Sequence, residues 1–209
     1  MREYSVQTDY REVTGVQAII EMAEENGGLV TTAQVVGAGI PRARISDMVK
    51  AGELERVQRG VYCLADEWED EFLATQLRFP KGVFSDGTAL YLHGHTDRTP
   101  FRLTMTFPRS YSATTVRKAG VEVRTCADDV LGLGLTTVTT LYGNEVRAYD
   151  LERTLCDIVR GQRVVDVQVV NPAMKQYVRS GERDVQKLLG YARALGVERK
   201  IRNYLEVLL

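Results

Sequence analysis

The sequence predicts an α+β fold, and three observations carry that expectation. Residues 14–64 read as helix, helix, helix and then a tight hairpin. Residues 81–149 hold short runs rich in β-branched residues, separated by turn signals. From Asp150 onward, apolar residues recur at helical spacing. Strands followed by a run of helices is the α+β arrangement. Within it we expect two domains, 1–65 and 66–209. The second should hold a small, mainly antiparallel sheet and a helical C-terminus.

The elements justify themselves in order. In "TGVQAIIEMAEEN", Thr14 and Gln17 have the spacing of a capping box, and Val16, Ile19, Ile20 and Ala23 form an apolar stripe. Gly27 and Gly28 end that helix. A second capping box, Thr31 and Gln34, opens a short helix that ends at Gly37. Pro41 suits the first turn of a third helix, which Gly52 terminates. "LERVQRGVYCL" then gives strands Leu54–Val57 and Val61–Leu64, with Gln58, Arg59 and Gly60 as the turn. This order and these lengths are those of a winged helix-turn-helix.

The third helix decides what such a domain contacts. The chain as a whole is nearly neutral, at formal −1 with a pI near 6.2, so nucleic-acid contact must come from a local patch. "IPRARISDMVKAG" supplies one. Ile45, Met48 and Val49 share a face expected to pack inward. Ala43, Ser46, Asp47 and Lys50 occupy the other face, with Arg42 and Arg44 on its flanks. Small or hydrogen-bonding side chains would then meet base edges while cations reach phosphates. Arg56 and Arg59 of the hairpin extend the basic strip, and Thr31 and Thr32 are expected to add backbone N–H contacts at a helix start. Winged helices also serve as protein–protein modules, and any exposed helix carries charge. Asp47 opposes DNA unless it accepts from a cytosine amino group or pairs with Arg44 or Lys50.

Further along, "EWEDEFLATQLRF" reads as a helix with an acidic start, and Lys81–Phe84 as a short strand. "SDGTALYLHG" reads as a helix capped by Ser85 or Asp86. "FRLTMTFP" and "VEVRTC" are strands, and "LTTVTTLYGNEVRAYD" is a hairpin turning at Gly143–Asn144. "DLERTLCDIVRG" places Leu151, Leu155, Ile158 and Val159 on one helix face. More amphipathic helices follow, with breaks expected near Pro172, Gly181 and Gly196.

Chemistry is sparse. His93 and His95, two apart, are all the histidine there is, and no third ligand accompanies them, so no metal is expected. A pairing of Ser85 with His93 lacks the G-x-S-x-G setting. "GLGL" at Gly132–Leu135 lacks the nucleotide-loop pattern, and Asp128 and Asp129 read as a helix start. We therefore expect no enzyme, no cofactor and no catalytic residue. A structure gathering His93, Asp97 and Asp128 or Asp129 in one pocket would revive catalysis. Cys63, Cys126 and Cys156 are odd in number and without C-x-x-C spacing, which suits buried thiols in a reducing cytoplasm. The polar start "MREYSVQTDY" is no signal peptide, and no run of ~18 apolar residues offers a membrane span. Basic residues Arg109, Arg117, Lys118, Arg160, Arg163, Arg179 and Arg183 form a candidate basic surface in the second domain, unless nearby carboxylates pair with them.

The stretch "GGLVTTAQVVGAGIPRARISDMVKAGELERVQRGVYCL" resembles the AbiEi family of antitoxins, of type IV toxin–antitoxin and phage abortive-infection systems. Ile40, Ile45, Gly52, Leu54, Arg56, Val57, Arg59, Gly60, Val61 and Tyr62 hold the family's places, and Met48 stands where leucine is common. "SDGTALYLHGHTDRTP" and "DLERTLCDIVR" resemble two later stretches, with His95 replacing an apolar residue. The resemblance implies a winged helix that binds inverted repeats in its own promoter and represses it. It also implies a second domain that counters a nucleotidyltransferase-like toxin, without a lasting complex. A winged-helix regulator with no toxin partner is the alternative. In the "ERT" of the last motif, Glu152 and Arg153 are expected to form an ion pair that orients the helix.

Overall fold

A computed structural model describes residues 15–161 and 167–208. The chain divides into two compact units. The first holds residues 1–80 and 139–145, and the second holds 81–138 and 146–209. The expected cap at Thr14 and the basic residue Arg163 lie outside the described residues.

In the first unit, helix α1 covers residues 15–24. Strand β1 (Leu29–Thr31) leads into α2 (Thr32–Gly37). Helix α3 (Ala43–Ala51) follows, then β2 (Leu54–Gln58), β3 (Val61–Leu64) and α4 (Glu71–Arg78). The strands form an antiparallel sheet in the order β1-β3-β2. At three residues, β1 is too short to show a period in the sequence. Gln58 was expected in the turn but pairs with Val61, because the register shifts between Arg56 and Gln58. One core joins the elements: Ile19, Ala23, Val30, Val35, Ile45, Met48, Leu54 and Tyr62. Asp70 is fully buried and caps α4, accepting from the N–H groups of Phe72 and Leu73. Its second oxygen accepts from Thr140 Oγ1 and Asn144 Nδ2.

In the second unit, β4 (Val83–Phe84) and α5 (Asp86–Leu92) are followed by β5 (Thr104–Pro108), α6 (Thr114–Lys118) and β6 (Glu122–Cys126). Then come α7 (Asp128–Leu131), β7 (Leu135–Thr139) and β8 (Glu145–Tyr149). Four helices end the chain: α8 (Leu151–Arg160), α9 (Val167–Arg179), α10 (Val185–Ala194) and α11 (Glu198–Leu208). The sheet order is β6-β5-β4-β8-β7. The sheet is mixed where a mainly antiparallel one was expected. β5 runs parallel to β6 and β4 parallel to β8, while β4 and β5 are antiparallel. The short α6 makes the crossover that lets β5 and β6 run the same way. Thr104 and Thr106 are buried along with Met105 and Phe107, so the alternation in the sequence does not mark a wet face. Their polar groups are satisfied inside: Thr104 N–H donates to Thr88 Oγ1, and Thr106 Oγ1 to Ser85 Oγ.

Pro172 does not break the chain but lies inside α9. Proline removes one helical hydrogen bond, and the packing of Val170, Ala173, Met174 and Tyr177 in the core holds the helix across it. The expected breaks at Gly181 and Gly196 are present, and Ser85 is the N-cap residue of α5.

Glu152 and Arg153 are both buried, but they do not pair with each other. Adjacent helix positions point about 100° apart, which sends them to different partners. Glu152 accepts from Tyr177 Oη at 3.0 Å and pairs with Lys187 at 3.0 Å. Arg153 is 1% exposed. Its Nε donates to Asp157 at 2.9 Å, and Nη1 donates to the carbonyls of Val130 (2.7 Å) and Leu133 (2.8 Å). Its guanidinium lies 4.2 Å from the centre of the Tyr149 ring. The "GLGL" segment earns its glycine here: a Cβ on Gly134 would sit 2.5 Å from Arg153 Cβ.

The three cysteines are buried and free. Burial pushes the Cys156 thiol up to about 12, far from the thiolate needed for reaction.

Two outcomes follow for this buried centre. Arg153→Ala should lower stability by about 3–5 kcal/mol in urea unfolding, since it strands a buried carboxylate and two carbonyls. A loss under 1 kcal/mol would remove Arg153 from this role. Burial also raises the Asp157 carboxyl from 3.8 to about 6, against the pull of Arg153. Between those two pH values the folded chain holds a proton that the unfolded chain releases. This group therefore favours folding most below pH 3.8 and loses that contribution as pH rises through 6. Asp157→Asn should flatten the stability–pH slope in that window; an unchanged slope would exclude the raised carboxyl.

Candidate nucleic-acid interface

The first unit builds its candidate interface around the start of α2. Thr31 ends β1 and caps α2. Its Oγ1 accepts from Gln34 N–H at 3.1 Å, and Gln34 Oε1 accepts from Thr31 N–H at 2.8 Å. The next amide, Thr32 N–H, donates to the Gly60 carbonyl at 2.9 Å. Both amides expected to hold phosphate are thus already engaged, which corrects that assignment for Thr31 and Thr32. Their work is structural: they tie the hairpin turn to the first helix of the helix-turn-helix. Gly60 takes φ +80° in that turn, a conformation that side chains resist.

Helix α3 presents its faces largely as the spacing predicts. Ile45 and Met48 are 1% and 2% exposed, whereas Val49 is 37% exposed and lies outside the core. The apolar arc is narrower than expected and centres on the Ile45–Met48 edge. Ala43, Ser46, Asp47 and Lys50 are all exposed, as is Arg42; Arg44 is half-buried and has interactions of its own. Arg42, Asp47 and Lys50 make no ion pair among the described residues, so Asp47 is not neutralised by Lys50 or Arg44. Gly52 caps the helix in the left-handed conformation, and Lys50 sits favourably in the last turn.

The hairpin exposes Arg56 and Arg59. Arg56 Nε donates to the Gln58 carbonyl at 3.5 Å, and Arg56 makes no ion pair among the described residues. A third cation joins them from α4. Arg78 Nη1 donates to Gln58 Oε1 at 3.3 Å, and its guanidinium lies 5.0 Å from the Phe79 ring centre. Burial, then Arg59 and Arg56, lower its pKa from the ordinary arginine value, so three guanidiniums repel one another at this edge. Sequence reading missed Arg78 because it lies 19 residues past Arg59, in a helix with no evident link to the hairpin. Gln58, a strand residue after all, is the signal that joins them.

The basic residues of the second unit are less concentrated. Arg109, Arg117, Lys118, Arg160, Arg179 and Arg183 are exposed, at the ends of different elements. Other cations of the terminal helices are paired: Lys187 with Asp150 and Glu152, and Arg193 and Arg202 with Glu198.

The residues weighed for chemistry have the following surroundings. His93 Nε2 donates to the Tyr149 carbonyl at 2.8 Å, and burial lowers its pKa below the usual 6.5. Asp97, Asp128 and Asp129 are exposed, and no metal-competent group of three His, Cys, Asp or Glu occurs among the described residues. No described helix is long and apolar enough to cross a membrane.

Residues 17–65 match the family described as transcriptional regulator, AbiEi antitoxin. The match spans α1 to the end of the hairpin, and the resemblance read from the sequence holds over that segment. No curated protein matches the chain. Among solved structures, the RV2827C protein from Mycobacterium tuberculosis is similar in fold, with a TM-score of 0.57 at 14% identity. The likeness covers 92% of this chain and 80% of that one.

The coupling of turn to helix is testable. Gly60→Ala should cost about 1–2 kcal/mol, because nothing crowds the site and only the positive φ resists the change. Thermal unfolding of the full chain checks it; an unchanged midpoint would mean the turn relaxes freely.

Proposed function

We propose that the protein is a DNA-binding antitoxin that represses its own operon. Its residues 1–65 would bind inverted repeats in its promoter, and residues 66–209 would counter a cognate nucleotidyltransferase-like toxin of a type IV, phage-defence system. The observation that carries the DNA half is the charge of Arg42 and Lys50, unpaired among the described residues, at the exposed face of α3, together with the exposed Arg56 and Arg59 of the hairpin. A match to antitoxin regulators over the same residues supports it.

In this reading, Ala43, Ser46 and Asp47 of α3 face base edges in the major groove. Arg42, Arg44 and Lys50 reach phosphates beside the groove, while Arg56 and Arg59, with Arg78 added, hold the backbone on the hairpin side. Asp47, with no ion-pair partner among the described residues, accepts from a cytosine amino group. Two copies are needed to cover an inverted repeat. The exposed basic residues Arg109, Arg117, Lys118, Arg160, Arg179 and Arg183 supply further backbone contact. The protein works in the cytoplasm, without cofactor or catalysis.

The test is a gel-shift titration of the full chain on the DNA upstream of its own gene, at two salt concentrations, with a scrambled duplex alongside. Native DNA should bind more tightly, with a steep salt dependence. Lys50→Ala and Arg59→Ala should each weaken both duplexes alike and flatten the log–log salt slope by about one. Asp47→Ala should change the preference between duplexes more than the slope. Equal binding to native and scrambled DNA would overturn the repressor reading and leave a protein-interaction module. Growth rescue on co-expression with the neighbouring toxin tests the other half; failure there, with operator binding intact, leaves a regulator without a toxin partner.

A further inference from the structure

The second unit contains a cleft that the family match does not reach and of which the DNA reading uses Arg179 alone. Its volume is about 600 Å³, within the range of small-ligand sites. His95, Pro172, Lys175, Gln176, Arg179 and Ser180 line it. Helix α9 makes one wall. Pro172, Lys175, Gln176 and Arg179 fall on its exposed face, while Ala173, Met174, Tyr177 and Val178 are buried on the other. The turn after α5 makes the opposing wall, fastened by Gln176 Nε2 donating to the Gly94 carbonyl at 3.3 Å.

The lining is cationic and uncompensated. Lys175 and Arg179 stand four apart on the helix, where like charges weaken it slightly. Neither makes a hydrogen bond or ion pair among the described residues, and no described acidic residue lines the cleft. His95 adds a second, independent sign. Its Nδ1 lies 3.2 Å from the His93 carbonyl, which can only accept, so Nδ1 carries the hydrogen. Its Nε2 is shielded from solvent and has no hydrogen-bond partner among the described residues. Buried polar atoms left this way are rare, and a bound group is one of the things that satisfies them. In that tautomer Nε2 is an acceptor, so it calls for a donor on whatever fills the site. Ser180 Oγ already accepts from Glu182 N–H, which leaves its hydroxyl hydrogen to donate as well.

We propose that this cleft binds a small phosphorylated ligand, with a phosphate held by Lys175 and Arg179, accepting from the Ser180 hydroxyl and donating a P–OH hydrogen to His95 Nε2. Two cations, one hydroxyl donor and one imidazole acceptor around the site match a phosphate that keeps one P–OH. A duplex backbone would instead call for a long basic strip, and the cleft offers two cations. The inference shares only Arg179 with the operator-binding reading; Lys175, His95 and Ser180 test it apart from DNA.

The test is titration of the full-length protein with inorganic pyrophosphate, followed by calorimetry and by the His95 imidazole resonances. Binding should saturate near one equivalent and move the His95 signals. Lys175→Ala with Arg179→Ala should weaken it at least tenfold, and His95→Phe severalfold. Arg199→Ala, an exposed cation away from the cleft lining, should leave it unchanged. All the altered positions except His95 are exposed, so thermal melts matching wild type show that the charge variants keep the fold. Failure to saturate, equal binding by the double variant, or His95 signals that move only with a scrambled DNA duplex would each overturn the proposal.

Discussion

The first unit depends on a junction two residues long. Thr31 belongs to the sheet and caps the first helix of the helix-turn-helix, and Thr32 N–H holds the hairpin turn. Strand, helix and turn are thereby fixed to one another through three short hydrogen bonds. Helix α3 is set by its core contacts through Ile45 and Met48 with the same assembly. The distance between the basic residues of α3 and those of the hairpin is therefore not left to loop flexibility. The phosphate-contacting interface we propose would need that rigidity. It also explains why the amides at this helix start are unavailable to a ligand: they supply the rigidity.

The second unit solves a related problem with buried charge. Arg153 reaches a carboxylate, two carbonyls and an aromatic face from one position on α8. Burying a guanidinium is costly unless its donors are satisfied, so this centre fixes one arrangement of α7, the β7 approach and α8 more than it adds stability. Glu152, one residue earlier, performs the equivalent task toward α9 and α10 through Tyr177 and Lys187. A charged pair in the sequence thus fastens two different sides of one helix.

Asp86 shows a smaller tension. It is buried, holds a positive φ of 49°, and pairs with Arg124 at 2.6 Å. Aspartate tolerates that conformation better than most residues, and the ion pair secures it. The turn from β4 into α5 is therefore held from the side of β6.

What the sequence determined by itself was local. Capping boxes, apolar stripes and glycine stops are encoded within one or two turns of chain, so α2, α3 and most strands were legible, as were the exposed faces bearing Arg42, Ala43, Ser46, Asp47 and Lys50. What only the tertiary structure decided was pairing across distance. The bulge that drew Gln58 into β2 depends on β3; the parallel run of β5 and β6 depends on a crossover; Pro172 stays helical because its neighbours are packed. Arg78 entered the basic edge through a glutamine 20 residues away, and Glu152 and Arg153 parted because their partners lie on other elements. Hydrogen bonds and ion pairs between distant residues leave no periodic trace in a single chain, because either partner alone is an ordinary polar residue.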